Sequence, residues 1–178
     1  MKYIALLRGI NVGGNNKVSM AQLKESFESA EFLNVVTYIN SGNVIFDTVE
    51  QDLPDLVHLC ESVIEKDFGF RVICAVITAK ELEASIAAAP DWWGLDDADK
   101  HNAIFVIAPA KPSEIIESVG DAKPEYEKVA SEGSIIFWTA PLKTFGRTRY
   151  SKIVGTSAYQ SVTIRNAKTA KKLVELSK

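Results

Sequence analysis

The chain has few of the features that announce a function. Only two cysteines occur in 178 residues, Cys60 and Cys74, so no disulfide framework stabilises it. Both sit among apolar neighbours, Cys60 at helical spacing from Leu53, Leu56, Val57 and Ile64, and Cys74 inside Val72–Ile77. They read as buried apolar fillers in a reducing, cytoplasmic setting. There are two histidines, His58 and His101, with no metal-ligand spacing around either and no recognisable Ser-His or Cys-His pair. The sequence therefore implies no metal and no cofactor, and it defines no nucleophile or general base. No apolar run approaches the ~18 residues of a membrane span. The apolar start Tyr3–Leu7 is ended by Arg8, too short for the core of a signal peptide. No feature specifies an oligomeric state.

The most unusual absence is of acids near the C-terminus. Residues 1–132 hold 11 Lys/Arg and 22 Asp/Glu, whereas residues 133–178 hold 9 basic residues and a single acid, Glu175. A net charge of −3 thus conceals an acidic first part and a basic last part. The stretch Lys143–Lys152 mixes four cations, hydroxyls and two aromatics, a composition suited to a phosphorylated ligand or to nucleic acid. It equally suits intramolecular neutralisation of the acidic part. Lys168, Lys171 and Lys172 also read as a solvated helix face, and Asn166 as a helix N-cap.

Hydrophobic patterning gives the fold. Tyr3–Leu7, Val35–Ile39, Val44–Phe46 and Val72–Ile77 read as strands. A helix with Ser19 as N-cap, Gln22 as capping-box partner and Leu23, Phe27 and Ala30 inward lies between the first two. A second, entered through Asp52 and Pro54 and ended near Gly69, lies between the last two. The order β-α-β-β-α-β is the ferredoxin-like arrangement. A connecting helix, Lys80–Ala89, and an acidic loop, Asp91–Lys100, follow; Trp92 and Trp93 in that loop read as a core cap or a lid. The element order then recurs: strand Ala103–Ala108, helix Pro112–Val119, strands Tyr126–Ala130 and Ile135–Thr139 about Ser131-Glu132-Gly133, a short helix in Tyr150–Ala158, strand Ser161–Ile164 and closing helix Lys168–Leu176. The expected fold is α+β: two tandem ferredoxin-like (α/β-plait) units, residues 1–79 and 102–178, packed together, with residues 80–101 between them. Strands apolar at consecutive positions are expected to be covered on both faces.

This topology predicts one crevice. The first two strands are parallel, so the loop leaving the first and the bend Asn40-Ser41-Gly42-Asn43 share an edge, above the N-terminus of the first helix. Arg8, Asn11, Asn40, Ser41 and Asn43 are expected to face it. Gly9–Gly14 has the G-x-x-x-x-G spacing but continues with Asn15-Asn16, so the P-loop motif fails; Asn11 breaks G-x-G-x-x-G. Turn chemistry alone also accounts for Asn-Ser-Gly-Asn and for the glycines.

Leu6-Leu7-Arg8-Gly9-Ile10-Asn11-Val12-Gly13-Gly14, then Met20 and Leu23, and Thr37–Phe46 resemble the family called domain of unknown function 1697, and Thr163-Ile164-Arg165-Asn166 is similar to that family's C-terminal motif. The resemblance implies two α/β-plait units and points to Arg8, Asn11, Gly13, Gly14, Asn40, Ser41, Gly42, Asn43, Arg165 and Asn166 as ligand-binding residues. Its members commonly carry Trp after the Arg-Asn pair, where this chain has Ala167. The leading functional expectation is a cytoplasmic protein that binds a small anionic or phosphorylated ligand at the Arg8/Asn40–Asn43 edge. RNA or single-stranded nucleic acid binding through the basic last third comes second. It is weakened by a pI of about 5.5 and by the missing aromatic motif of RNA-recognition sheets. A non-catalytic protein-interaction module, with the Trp92-Trp93 loop as its contact, is the third reading.

Overall fold

A computed structural model describes all residues, Met1–Lys178. It divides into two units, Met1–Lys80 with Leu176–Lys178, and Glu81–Glu175. The segment expected to connect them is thus grouped with the second unit from Glu81 onward.

In the first unit the apolar run at the start forms β1 (Lys2–Leu7), every residue of which after Lys2 is buried. Ser19 caps α1 (Met20–Ser29), its hydroxyl accepting from the Gln22 N–H, and Leu23 and Phe27 turn inward. β2 (Leu33–Tyr38) and β3 (Asn43–Asp47) form a hairpin with a register shift between Leu33 and Val36. α2 (Leu53–Phe68) starts with Pro54 in its first turn and stops at Gly69, whose φ of 75° a side chain would resist. β4 (Cys74–Thr78) completes a four-stranded antiparallel sheet of order β2-β3-β1-β4. β1 and β2 both run antiparallel to β3, and hence parallel to each other. Tyr3, Phe27, Phe32 and Phe46 form an aromatic cluster under α1, with Phe32 and Phe46 ring centroids 4.5 Å apart. Cys60 and Cys74 are both fully buried and free.

The second unit repeats the topology. After α3 (Ala79–Ala87) come β5 (Asp99–Val106), α4 (Pro112–Val119), β6 (Lys128–Glu132), β7 (Ile135–Pro141), β8 (Val162–Asn166) and α5 (Ala167–Leu176). The sheet order is β6-β7-β5-β8, again antiparallel throughout. Four expectations are corrected here. β5 begins four residues before Ala103, because Asp99, Lys100 and His101 pair with Pro141, Ala140 and Thr139 through the backbone, and no apolar run marks that pairing. β6 is shifted to Lys128–Glu132, since Tyr126 and Glu127 donate their N–H groups to the Lys123 carbonyl in a turn. The hairpin turn is Gly133-Ser134, between the paired Glu132 and Ile135, with Gly133 at φ 56°. The helix expected in Tyr150–Ala158 is instead part of three 3-10 segments, Leu142–Arg147, Tyr150–Gly155 and Ser157–Ser161. The Thr148 and Thr156 hydroxyls donate to the Phe145 and Ile153 carbonyls three residues back, and such local bonds compete with an α-helix.

Trp93 is buried; its Nε1–H donates to the Asn102 carbonyl at 2.8 Å and its ring meets Phe137 edge-on, so it caps the core. A second cluster joins Ile104, Val106, Ile115, Trp138, Tyr150 and Val162. The buried Glu127 carboxylate organises the crossover beside it. It accepts from the Lys123 and Arg149 N–H groups through Oε1 and from the Tyr150 N–H through Oε2.

Tyr150 generates one prediction. Its hydroxyl is buried without a hydrogen-bond partner, and burial, aided by the Glu127 charge, pushes its pKa up to about 12. Because the folded value lies above the ordinary 10, the stability held by the neutral phenol is complete below pH 10 and is lost as pH rises towards 12. Tyr150→Phe is expected to alter stability at pH 7 by no more than about 1 kcal/mol. It is also expected to lose less stability than the wild type between pH 9 and pH 11, as read by urea denaturation. The thiols give a second. The Cys60 side chain, by hydrogen bonding, and burial together hold the Cys74 pKa well above the ordinary value. Neither thiol is expected to react with an aromatic disulfide reagent in the folded chain, and both should react at once in denaturant.

Candidate functional site

The loop after β1 begins as a backbone problem. Arg8 keeps its N–H on the Ile73 carbonyl, and the chain then turns away from the sheet. Residues Asn11–Asn16 form a miniature hairpin, in which Asn15 N–H returns to the Val12 carbonyl and Asn11 N–H to that of Asn16. Gly13 and Gly14 occupy its tip at φ 59° and 79°, a conformation glycine adopts without strain. The Asn11 side chain fastens this loop on two sides. Its amide donates to the Val18 carbonyl and to the Asn40 carbonyl, each at 2.9 Å, and its Oδ1 accepts from the Val18 N–H.

The bend between β2 and β3 arrives at the same rim. Leu7 N–H donates to the Gly42 carbonyl at 2.8 Å, so the end of β1 and the bend are direct neighbours. Gly42 is buried at φ 82°, and a Cβ there would lie 2.6 Å from Ile10 Cδ1 and 2.9 Å from Leu7 Cβ. Asn43 is fully buried, and its amide is spent on the Tyr38 carbonyl and the Ser41 hydroxyl. These two hold the bend together. Asn40 and Ser41 are exposed.

Between loop, bend and the first turn of α1 lies a hollow of about 720 Å³. Asn11, Gly14 and Asn40 line it together with Lys17, Val18, Ser19, Met20 and Gln22. Lys17 is its cation, and no acid lines it. Three of the residues expected at the site, Asn11, Gly14 and Asn40, therefore meet in it. Arg8 is half-buried and is not among the lining residues; Gly42, Asn43, Gly13 and Ser41 shape or flank the rim. Lys17, Ser19 and Gln22 were not in the expected set. Their signal was present, because Lys17 is the charged residue nearest the N-cap of the helix over which the crevice was placed.

Arg165 and Asn166 belong to the second unit. Arg165 lies on β8 opposite Ala103, 8% exposed, with Nη1 donating to Thr163 Oγ1 and the Ile164 carbonyl. Burial lowers its pKa to about 10. Asn166 caps α5, its Oδ1 accepting from the Thr169 N–H at 2.8 Å. Part of the basic segment is met by acids of the same unit, Lys168 by Asp97 at 3.0 Å and Lys172 by Glu175 at 2.7 Å.

Two four-stranded antiparallel sheets of the same strand order, each with helices crossing it, define a protein of two tandem α/β-plait units. Residues 1–137 match the family model described as "Protein of unknown function (DUF1697)", and the chain belongs to that family. It is similar to the solved structure of the conserved bacterial protein SP0830 from Streptococcus pneumoniae, with 30% identity and a TM-score of 0.86 over 99% of this chain and 98% of that one. No curated protein matches the chain. No helix is long and apolar enough to cross a membrane.

The close approach at the bend yields a graded prediction. Gly42→Ala is expected to destabilise the chain by about 2–3 kcal/mol, from overpacking added to backbone strain. Gly9→Ala, with φ 71° but no atom within 4 Å of the added carbon, carries the strain alone. Chemical denaturation of the two variants should rank Gly42→Ala as clearly the more damaging.

Proposed function

We propose that this chain is a cytoplasmic protein that binds a small anionic or phosphorylated ligand in its first unit, at the rim where the β1 loop meets the Asn40–Asn43 bend. The observation that carries this reading is the hollow over the start of α1, lined by one cation and no acid. Lys17 supplies the charge, and the Ser19 hydroxyl, the Gln22 side chain and the Asn40 side chain supply hydrogen bonds. The N–H groups of Met20 and Ala21 open the first turn of α1, where a helix leaves its donors without internal partners. Asn11 serves by fixing the wall, since its polar atoms are already bonded within the protein. Arg8 leaves β1 at the same rim, its N–H held by the Ile73 carbonyl, but it does not line the hollow. A free thiol pair sealed in the core suits a reducing compartment.

The test is thermal unfolding with inorganic pyrophosphate and, separately, ribose 5-phosphate at constant ionic strength. Binding to the folded state raises stability by about 2.7 kcal/mol at a hundredfold excess over Kd, which lifts Tm measurably. Lys17→Ala, an exposed position outside the core, is expected to fold normally and to lose most of that rise. A Tm unmoved by either phosphate, or moved equally in Lys17→Ala, would refute the reading.

A further inference from the structure

The second unit has a cavity of its own, about 500 Å³ in volume, where β5 begins, β7 has just ended and β8 passes into α5. That volume lies in the range of small-molecule sites. Its walls carry three observations that belong together.

The first is His101. This side chain is 7% exposed and lines the cavity. Its Nδ1 is fixed 2.7 Å from the Thr139 hydroxyl, across the β5–β7 pair. Its Nε2 has no hydrogen-bond partner. A buried ring nitrogen without a partner is uncommon, because it has given up water and received nothing in exchange.

The second is the balance of charge. Asp96, Asp97 and Asp99 line the cavity together with Lys100, Lys168 and Lys171. Most of these are engaged. Lys168 meets Asp97, Asp96 Oδ1 accepts from the Ala98 and Asp99 N–H groups, Lys171 donates to the Gly94 carbonyl, and Lys100 lies over the Phe145 ring. Two opposite poles remain. The Asp99 carboxylate has no ion-pair partner. The start of α5, where Asn166 caps only the Thr169 N–H, presents the positive end of a helix. A polyanion gains nothing from a wall of zero net charge, whereas a molecule with one acid and one amine is attracted at both ends.

The third is apolar surface. Leu95 and Leu142 stand at the cavity 71% and 57% exposed, and Ala167 adds a small apolar floor. Exposed leucines lining a polar recess suit a ligand with a hydrocarbon arm.

From these we propose that the second unit binds a small zwitterion of the apolar amino-acid class. Its carboxylate sits at the first turn of α5, its ammonium at Asp99, and its side chain against Leu95 and Leu142. His101 Nε2 gives the bound polar head a further hydrogen bond. This site is separate from the one proposed in the first unit and does not depend on it.

The experiment is NMR titration of the full-length, nitrogen-15-labelled chain with L-leucine. Two controls carry one charge each: 4-methylpentanoate, which lacks the amine, and isoamylamine, which lacks the acid. Leucine is expected to shift the Ala167 and Lys168 amides and the His101 ring nitrogens saturably. Each control should bind at least about tenfold more weakly, for the loss of one charge-assisted bond. Asp99→Asn should weaken leucine but leave 4-methylpentanoate unchanged. Ala167→Trp, with its fold checked by circular dichroism, fills the cavity and should abolish the shifts. No saturable shift at these positions up to about 20 mM leucine would overturn the proposal, since weaker association is not recognition. So would equal binding of a single-charge control, an unaltered leucine affinity in Asp99→Asn, or the same shifts produced by inorganic phosphate.

Discussion

The hydrogen bond from the Leu7 N–H to the Gly42 carbonyl joins the end of β1 to the β2–β3 bend, and most of the first unit follows from it. It extends the β1–β3 ladder one step beyond the Leu6–Asn43 pair, so the bend cannot swing away from the rim. It also forces the backbone of Gly42 against Leu7 and Ile10, which leaves no room for a side chain there. The loop leaving β1 then runs to α1 past this bend, and Asn11 bonds both the bend and the residue before the helix cap. Backbone pairing thus builds the wall, and the side chains facing the hollow are left for binding.

The two units use one topology and fill it differently. In the first, the second crossover is the long regular α2, sealed by Pro54 at one end and Gly69 at the other. In the second, three 3-10 segments take that place, and a buried carboxylate, Glu127, supplies the order that helix hydrogen bonds would have given. Such a crossover depends on particular side chains rather than on regular backbone geometry. The cost shows in the core beneath it, where the Trp138 indole N–H and the Tyr150 hydroxyl are both buried without partners.

The two proposed sites differ in electrostatics in a way that separates their ligands. The hollow of the first unit has one cation and no acid in its lining. The cavity of the second has equal numbers of lysines and aspartates. The first is matched to an anion, the second to a molecule that carries both signs. The marked charge division along the sequence does not map simply onto either, because local pairs such as Lys168–Asp97 and Lys172–Glu175 absorb part of the basic segment within its own unit.

The order of elements, both sheets, most helix limits and the meeting of the β1 loop with the Asn40–Asn43 bend are legible in the sequence. They follow from apolar periodicity, from caps such as Ser19 and Gly69, and from the rule that ferredoxin-like connectivity makes β1 and β2 parallel. What tertiary structure decided is which polar side chains are free to act. Asn43 looks like a binding residue in the chain and is consumed by its own turn; Asn11 is consumed by two neighbours; Lys17, passed over, lines the hollow. His101 had no recognisable partner in sequence, and its role depends on a strand that begins four residues before its apolar run, through backbone pairing that leaves no mark on hydrophobicity. A residue's type sets the bonds it can make, but only the packed chain determines which of those bonds are already taken.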